Sequence, residues 1–377
     1  MSNRGFAELT NLFKPILDWN KSRLDCFVLV VFGVIQLRTV NLSYLATAII
    51  SPATKESSYR RLQRFFKQFD ICPTLIGKLL ISMLRAHRPG SWIFAIDRTN
   101  WQLGKAHINV LVITVILGKV GFPVCWVTLP KKTKKGNSRQ FHRIKLAKIL
   151  LKIVSVEDIE AIVMDREFYG EKWLSWLSHK GIPYVLRIKA NTHIDGVKLG
   201  QLLRQKQHCQ KYHIFNAYGQ NVYLSCKWLG KTRKSAKQRI ILISNALAGE
   251  KALEAYRMRW GIEIFFAHCK KNGFNLEDTH MTYSKKMNKL LAVVAVAFCI
   301  CYLKSPMAKH QNSSIAKRKS IFRDGMEEIQ KLLQSHLKKE LNKLLSWLEK
   351  TILYHYKALP ITASKQLILK GFQKIVV

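Results

Sequence analysis

Acidic residues are scarce in this sequence. Only 23 Asp and Glu stand against 63 Lys and Arg in 377 residues, so the formal net charge is +40. Because so many like charges repel one another, the excess indicates a large polyanionic partner, with nucleic acid the first candidate and an anionic membrane the second. Apolar residues make up 48% of the chain, which excludes a disordered basic tail and predicts a core for roughly two to three domains.

The cysteines lack the spacing of known cysteine sites. None of the eight forms a C-x-x-C pair, so neither a zinc ribbon nor a disulfide framework is supported. We expect reduced, mostly buried thiols of a cytosolic protein.

The first residues lack the charged n-region and apolar run of a secretory signal. The longest apolar run, Leu290 to Leu303, suits a buried core helix better than a membrane span.

Short apolar runs predict strands in the middle of the chain. They cover residues 92–97, 108–117, 121–129, 161–165 and 183–189. The first three, with tight turns between them, predict an antiparallel meander. The runs that close with Asp97 and Asp165 are apolar throughout, as is typical of central strands buried on both faces. We expect both aspartates at strand ends, side by side if the two strands are neighbours.

The order of these runs predicts an α/β protein in four regions. The regions are a helical region at 1–88, an α/β core at 89–189 and 249–282, a β-rich insertion at 190–248, and a helical region for packing or dimerisation at 283–377. The insertion contains strand-like runs, which fill the long interval between Asp165 and Glu263.

A long helix predicted from Glu250 to Lys271 carries one narrow polar strip. Each residue of an α-helix turns about 100° around the axis, and this rotation brings the four polar residues of the strip to one side of an otherwise apolar helix. They are Tyr256, Arg259, Glu263 and Lys270. We expect Glu263 to bind metal, Arg259 and Lys270 to contact phosphates, and Tyr256 to donate a hydrogen bond beside them.

Three carboxylates in so basic a chain indicate a site for hard cations. Asp97, Asp165 and Glu263 would supply the oxygen ligands that Mg²⁺ prefers. Two such ions roughly 4 Å apart can activate an attacking hydroxyl and stabilise the leaving oxygen of a phosphodiester. Each residue also has an ordinary explanation, since Arg259 and Glu263 could form an i,i+4 ion pair and the aspartates could cap strands. The agreement of order and charge favours the metal site.

The polar strip has the spacing of a known signature. YRMRWGIEIFFAHCK (Tyr256–Lys270) matches Y-(2)-R-(3)-E-(6)-K and resembles one group of bacterial insertion-sequence transposases in the DDE superfamily. IDRTNW around Asp97 and VMDREFYG around Asp165 resemble the contexts of that group's two aspartates. The resemblance spans about residues 90–280.

This resemblance implies a ribonuclease H-like catalytic core whose catalytic metal ligands are Asp97, Asp165 and Glu263. It implies two Mg²⁺ ions, with Mn²⁺ able to substitute, and cut-and-paste movement of the element's own DNA through a hairpin intermediate. The implied partners are double-stranded DNA, as terminal inverted repeats and as target, and a second copy of the chain in a synaptic homodimer. The implied location is the bacterial cytoplasm at the nucleoid, without a membrane.

Two basic segments are candidates for contacting DNA phosphates. The densest cluster follows the third predicted strand and consists of Lys131, Lys132, Lys134, Lys135, Arg139 and Arg143. We expect it to position phosphates rather than read bases, a solvated lysine loop being the alternative. Near one face of an N-terminal helix lie Arg61, Arg64 and Lys67, which could rest on phosphates or form an ordinary solvated face. By the resemblance, terminal repeats are recognised in the N-terminal region.

Trp228 is the base-stacking candidate. In similar proteins an aromatic residue of the insertion stacks on a base flipped out of the DNA end, although a core tryptophan is the alternative here.

Two other functions stay open for the chain, a ribonuclease H-like nuclease without strand transfer and a catalytically silent DNA-binding repressor. The insertion and the complete polar strip favour a transposase over the first, and the presence of all three acids favours it over the second.

Overall fold

The computed structural model describes residues 3–48, 53–103, 106–129, 138–202, 209–229, 238–270, 273–305, 320–335 and 338–353. The chain divides into two units. One consists of Met1–Pro89 together with Lys289–Val377, and the other is Gly90–Asn288. The predicted catalytic acids all belong to the second unit.

The N-terminal part of the first unit is helical. Its helices are α1 (Asn3–Leu17), α2 (Lys21–Leu37), α3 (Leu42–Leu45), α4 (Lys55–Gln68) and α5 (Pro73–Arg85). Helix α4 is amphipathic, with Leu62 and Phe66 buried and with Arg64 and Lys67 exposed. The Thr54 side chain accepts a hydrogen bond from the backbone N–H of Ser57, which satisfies one of the free donors at the start of α4.

The second unit is built on an eight-stranded sheet. Its strands are β1 (Trp92–Leu103), β2 (Ala106–Leu117), β3 (Val120–Thr128), β4 (Ile159–Met164), β5 (Tyr184–Arg187), β8 (Cys209–Ala217), β9 (Gln220–Leu229) and β10 (Gln238–Ser244). Their order in the sheet is β3-β2-β1-β4-β5-β10-β9-β8. Two short strands, β6 (His193–Ile194) and β7 (Val197–Lys198), pair in a separate hairpin. The helices of this unit are α6 (Gln140–Leu150), α7 (Glu171–His179), α8 (Leu199–Leu202), α9 (Gly249–Arg257) and α10 (Gly261–Lys270).

The sheet is mixed in direction. Strands β1, β2 and β3 form the predicted antiparallel meander, and β4 and β5 run parallel to β1. Apart from the short β6–β7 hairpin, the strands of the predicted insertion join the central sheet. Strand β10 pairs antiparallel with β5, and β9 and β8 follow it outward, so the insertion continues the central sheet.

The prediction that Asp97 lies at the end of a strand is wrong. The parallel pairing of β1 with β4 ends at Ile96 and Met164, but β1 continues to Leu103 through its antiparallel pairing with β2. The partner strand therefore decides where β1 ends, because ladder hydrogen bonds to β2 extend beyond the apolar run. Asp165 does directly follow the last residue of β4.

The predicted long helix is broken in two. Helix α9 ends at Arg257, a single 3₁₀ turn covers Met258–Trp260, and α10 begins at Gly261. A Cβ atom on Gly261 would lie 3.0 Å from the backbone nitrogen of Gly121, so α10 begins directly against the backbone at the start of β3. The expectation of apolar packing nearly all round is wrong for Trp260, which is 61% exposed.

The C-terminal helices are α11 (Ser284–Lys304), α12 (Ile321–Gln334) and α13 (Lys338–Ile352). Among the helices in the described part of the chain, α11 alone is long and apolar enough to cross a membrane, and 89% of its apolar window is buried, as in a core helix. Gly325 of α12 lies against the carbonyl oxygen of Cys301 with no room for a Cβ atom. The two helix backbones therefore meet closely at this point.

Candidate active site

Asp97 and Asp165 both come directly after the parallel pairing of β1 with β4. Each follows the last paired residue of that ladder, Ile96 in β1 and Met164 in β4. Because the two strands are parallel and in register, the residues that follow the last pair lie next to each other, although β1 itself continues beyond Asp97. The pairing thus provides a physical reason for the two aspartates to face a common site.

Arg259 joins two of the three acids. Its Nη1 atom donates to Oδ2 of Asp97 at 2.9 Å, and its Nη2 atom donates to Oε1 of Glu263 at 2.9 Å. Glu263 lies in the first turn of α10, four residues after Arg259. The guanidinium therefore holds the start of α10 to the first strand of the sheet.

Asp165 has two other neighbours. The hydroxyl of Tyr256 donates to Oδ1 of Asp165 at 3.2 Å, and Nη1 of Arg187 lies 3.8 Å from the same oxygen. Tyr256 belongs to α9 and Arg187 is the last residue of β5. The polar strip predicted from the sequence thus reaches both aspartates, with Tyr256 at one and Arg259 at the other.

Burial dominates the electrostatics of Asp97. It raises the pKa of this carboxyl to about 6, against the lowering effects of the Arg98 backbone N–H and the Arg259 guanidinium. Burial also raises the pKa of Tyr256, and the charge of Asp165 adds to the effect. The Tyr256 hydroxyl therefore stays protonated at neutral pH and remains a donor to Asp165.

The donor set suits a divalent cation. Three carboxylates offer the hard oxygen ligands that Mg²⁺ and Mn²⁺ take. The Arg259 guanidinium is itself a cation, and it is held by Asp97 and Glu263 together, so these two side chains can converge on one positive group. Within the described residues, no three His, Cys, Asp or Glu side chains are arranged to hold a metal ion by themselves. Arg259 lies between two of the acids.

Glu167 and Arg98 are polar neighbours of the site that the sequence analysis did not single out. Nη2 of Arg98 lies 3.8 Å from Oε2 of Glu167, and Nη1 of Arg98 donates to Oδ1 of Asn109 at 2.9 Å. Burial raises the pKa of Glu167, partly offset by the Arg98 charge. Arg98 follows Asp97 and Glu167 lies two residues after Asp165, so the pair links the two aspartate-bearing segments. The sequence signal that could have identified them is their position, since Arg98 lies next to Asp97 and Glu167 lies close to Asp165.

Arg143 is not part of an exposed basic surface, contrary to its assignment to the basic cluster. Its side chain is buried and donates to the carbonyl oxygens of Ser138, Glu167 and Tyr169 at 2.7 to 2.8 Å. It also donates to Oγ of Ser138 at 2.9 Å. Arg143 therefore fixes the backbone that follows Asp165, because a guanidinium can satisfy several carbonyl groups at once.

The other predicted DNA contacts are placed as follows. Arg139 is exposed at the start of α6, and Lys131, Lys132, Lys134 and Lys135 lie outside the described residues. In the first unit, Arg64 and Lys67 are exposed on α4, and Arg61 is half-buried. Lys270 is half-buried at the end of α10.

Trp228 is half-buried at one side of a basic pocket. The pocket has a volume of about 580 Å³, and its lining includes Trp228 together with Arg166, Arg187, Lys189 and Arg239. The Arg239 guanidinium lies over the Trp228 ring at 4.0 Å from the centroid, a cation–π contact. Arg187 connects this pocket to the cluster of acids, since it also approaches Asp165. Trp228 is therefore not a fully buried core residue.

A known protein family matches this chain. The family model described as the transposase DDE domain matches residues 85–300, more than half of the chain. The matched segment includes Asp97, Asp165 and Glu263. A search of curated proteins finds no match.

Proposed function

The chain belongs to the transposase DDE-domain family, and on this basis we propose that it catalyses cut-and-paste transposition of an insertion sequence. The reaction would cleave phosphodiester bonds at the element's terminal inverted repeats and join the freed ends to target DNA. The observation that supports this most strongly is the convergence of Asp97 and Glu263 on one cationic group, beside the parallel strand β4, which Asp165 directly follows.

In this proposal Asp97, Asp165 and Glu263 hold two Mg²⁺ ions, and Mn²⁺ substitutes for them. When bound, such ions stabilise charge on the attacking and leaving oxygens of a phosphodiester. The Tyr256 hydroxyl orients the Asp165 carboxylate through the hydrogen bond at 3.2 Å. Arg259 and Lys270 bind phosphates of the scissile strand, to which guanidinium and ammonium groups are suited.

The surrounding chain would bind double-stranded DNA. The net charge of +40 supports a large contact with phosphates. The exposed Arg64 and Lys67 of α4, with Arg61 beside them, make this helix the candidate for contact with the terminal repeats. We propose a homodimer for the synaptic complex and activity in the bacterial cytoplasm at the nucleoid. A hairpin intermediate with Trp228 stacked on a flipped base completes the proposed pathway.

The test is cleavage of a linear DNA that carries the coding region with its flanking sequences. Wild-type protein, Glu263→Gln and the exposed Glu254→Gln on α9 are each incubated with Mg²⁺. We expect cutting at the element ends, with free 3′-hydroxyl groups, by wild type and Glu254→Gln only. Joined products would distinguish transposition from simple nuclease activity. If all three proteins bind the ends and none cuts with Mg²⁺ or Mn²⁺, the repressor function is the better explanation.

A further inference from the structure

We propose that Arg259 competes with divalent metal ions for Asp97 and Glu263, and that a DNA phosphate removes this competition by binding the guanidinium. Metal and DNA would then bind cooperatively. The inference rests on the proposed function, because it takes the two acids to be metal ligands. It goes further in assigning Arg259 two successive partners, first the carboxylates and then the DNA.

The first argument is the geometry of the three side chains. Arg259 uses both terminal nitrogens, each at 2.9 Å from a carboxylate oxygen, so both contacts are charge-assisted hydrogen bonds of good length. The Arg259 side chain is only 12% exposed and that of Asp97 18%. Water screens the Arg259–Asp97 pair less than it screens a surface ion pair, and that contact is correspondingly stronger, whereas Glu263 is 35% exposed and its contact is screened more.

The second argument is that the two cations exclude each other. An Mg²⁺ ion requires its oxygen ligands at roughly 2.0 to 2.1 Å around a common centre. The guanidinium lies where Asp97 and Glu263 face each other, and its positive charge would repel a divalent ion bound to the same oxygens. Metal binding through these two oxygens, Oδ2 of Asp97 and Oε1 of Glu263, therefore requires Arg259 to turn away from at least one of the acids.

The third argument is that Arg259 has another partner in DNA. The planar guanidinium binds phosphate oxygens through the same pair of N–H groups that it offers to carboxylates. Arg259 lies in the 3₁₀ turn between α9 and α10, and its neighbour Trp260 is 61% exposed. This turn therefore reaches the surface, from which a DNA strand would approach.

The consequence is a coupling between two ligands. If DNA raises metal affinity by freeing the carboxylates, metal must raise DNA affinity by the same factor, because binding free energies are linked. In the absence of DNA, Arg259 would keep metal affinity low. The enzyme would then assemble its metal site chiefly on its substrate, which limits cutting to bound DNA.

The experiment measures Mn²⁺ binding by electron paramagnetic resonance of the free ion, with no catalytic readout. Wild type and Arg259→Gln are titrated with and without a duplex oligonucleotide taken from the flanking DNA. Without DNA, we expect Arg259→Gln to bind Mn²⁺ about tenfold more tightly, as the loss of a competing charge-assisted contact implies. DNA should raise the affinity of wild type by a similar factor and that of Arg259→Gln much less.

Arg98→Gln is the matched control, because it removes an equal charge beside the site, and the Arg98 side chain contacts Glu167 and Asn109 rather than any of the three acids. If Arg98→Gln tightens Mn²⁺ binding as much as Arg259→Gln does, general electrostatics explains the effect and the competition is refuted. Equal or weaker binding by a folded Arg259→Gln, as judged by circular dichroism, also refutes it. If Asp97→Asn and Glu263→Gln both bind Mn²⁺ with the affinity of wild type, the two acids are not metal ligands and the proposed function itself is overturned.

Discussion

The guanidinium of Arg259 lies 2.9 Å from the carboxylate of Asp97, although 162 positions separate the two residues in the chain. This contact ties the junction of α9 and α10 to the first strand of the sheet. Because Glu263 binds the same guanidinium, the helix that carries the third acid is oriented by the first acid. The same three side chains therefore form part of the site and tie the start of α10 to β1.

Gly261→Ala should reduce stability. A Cβ atom at this position would lie 3.0 Å from the backbone nitrogen of Gly121 and 3.1 Å from the carbonyl oxygen of Lys119, and backbone atoms cannot move aside cheaply. We expect a loss of about 1 to 3 kcal/mol in the free energy of unfolding, as for other overpacked sites. Chemical denaturation measures it. The displacement of α10 should also reduce cleavage, since Glu263 lies two residues further on.

Gly325→Ala should be more costly than Gly261→Ala. Its Cβ atom would overlap the carbonyl oxygen of Cys301, so α11 and α12 would have to separate. Gly33→Ala in α2 is the control, because its Cβ atom would meet only the Leu45 side chain, at 3.2 Å. In a helix, alanine is more favourable than glycine by about 1 kcal/mol. This gain should offset the tight contact with Leu45, so the stability of the control should be close to that of wild type. Similar melting temperatures for Gly325→Ala and Gly33→Ala would contradict the close contact of α11 with α12.

Arg143→Lys should destabilise the loop after β4 despite keeping the charge. A lysine cannot replace the fork that binds the carbonyl groups of Ser138, Glu167 and Tyr169. We expect a loss of about 2 to 4 kcal/mol in unfolding free energy, since buried acceptors would lose their donors. Arg139→Lys, which changes an exposed residue, should remain within about 0.5 kcal/mol of wild type. Urea denaturation of both variants provides the comparison.

Trp228→Ala should impair hairpin formation more than first-strand nicking, if its ring stacks on a flipped base. Base–aromatic stacking contributes about 1 to 3 kcal/mol, so a reduction of about tenfold or more in the hairpin step is expected. Arg239→Gln is the companion variant, because Arg239 covers the Trp228 ring at 4.0 Å and should compete with the base. Denaturing gels resolve nicked and hairpin products. Equal loss at both steps in Trp228→Ala would rule out a specific role in base flipping.

Local sequence signals were sufficient for the central strands and for the order of the acids. The apolar runs before Asp97 and Asp165 were found as neighbouring parallel strands, since a continuous apolar run must be buried on both faces. The Y-(2)-R-(3)-E-(6)-K spacing was sufficient to single out Tyr256 and Arg259, which the structure brings to the two aspartates. The spacing of residues along a helix predicts which of them share a face, and this prediction needs no knowledge of distant parts of the chain.

Features that depend on a distant partner were not available from the sequence. The hairpin register with β2 extends β1 past Asp97, and contact with Gly121 accompanies the start of α10 at Gly261. The burial of Arg143 likewise requires carbonyl groups that come together only when the chain folds. Such features arise from pairing and packing between remote segments, and their energies do not appear in any local pattern of residues. The sequence by itself determined which acids are present and in what order, and the tertiary structure decided that Arg259 lies between two of them.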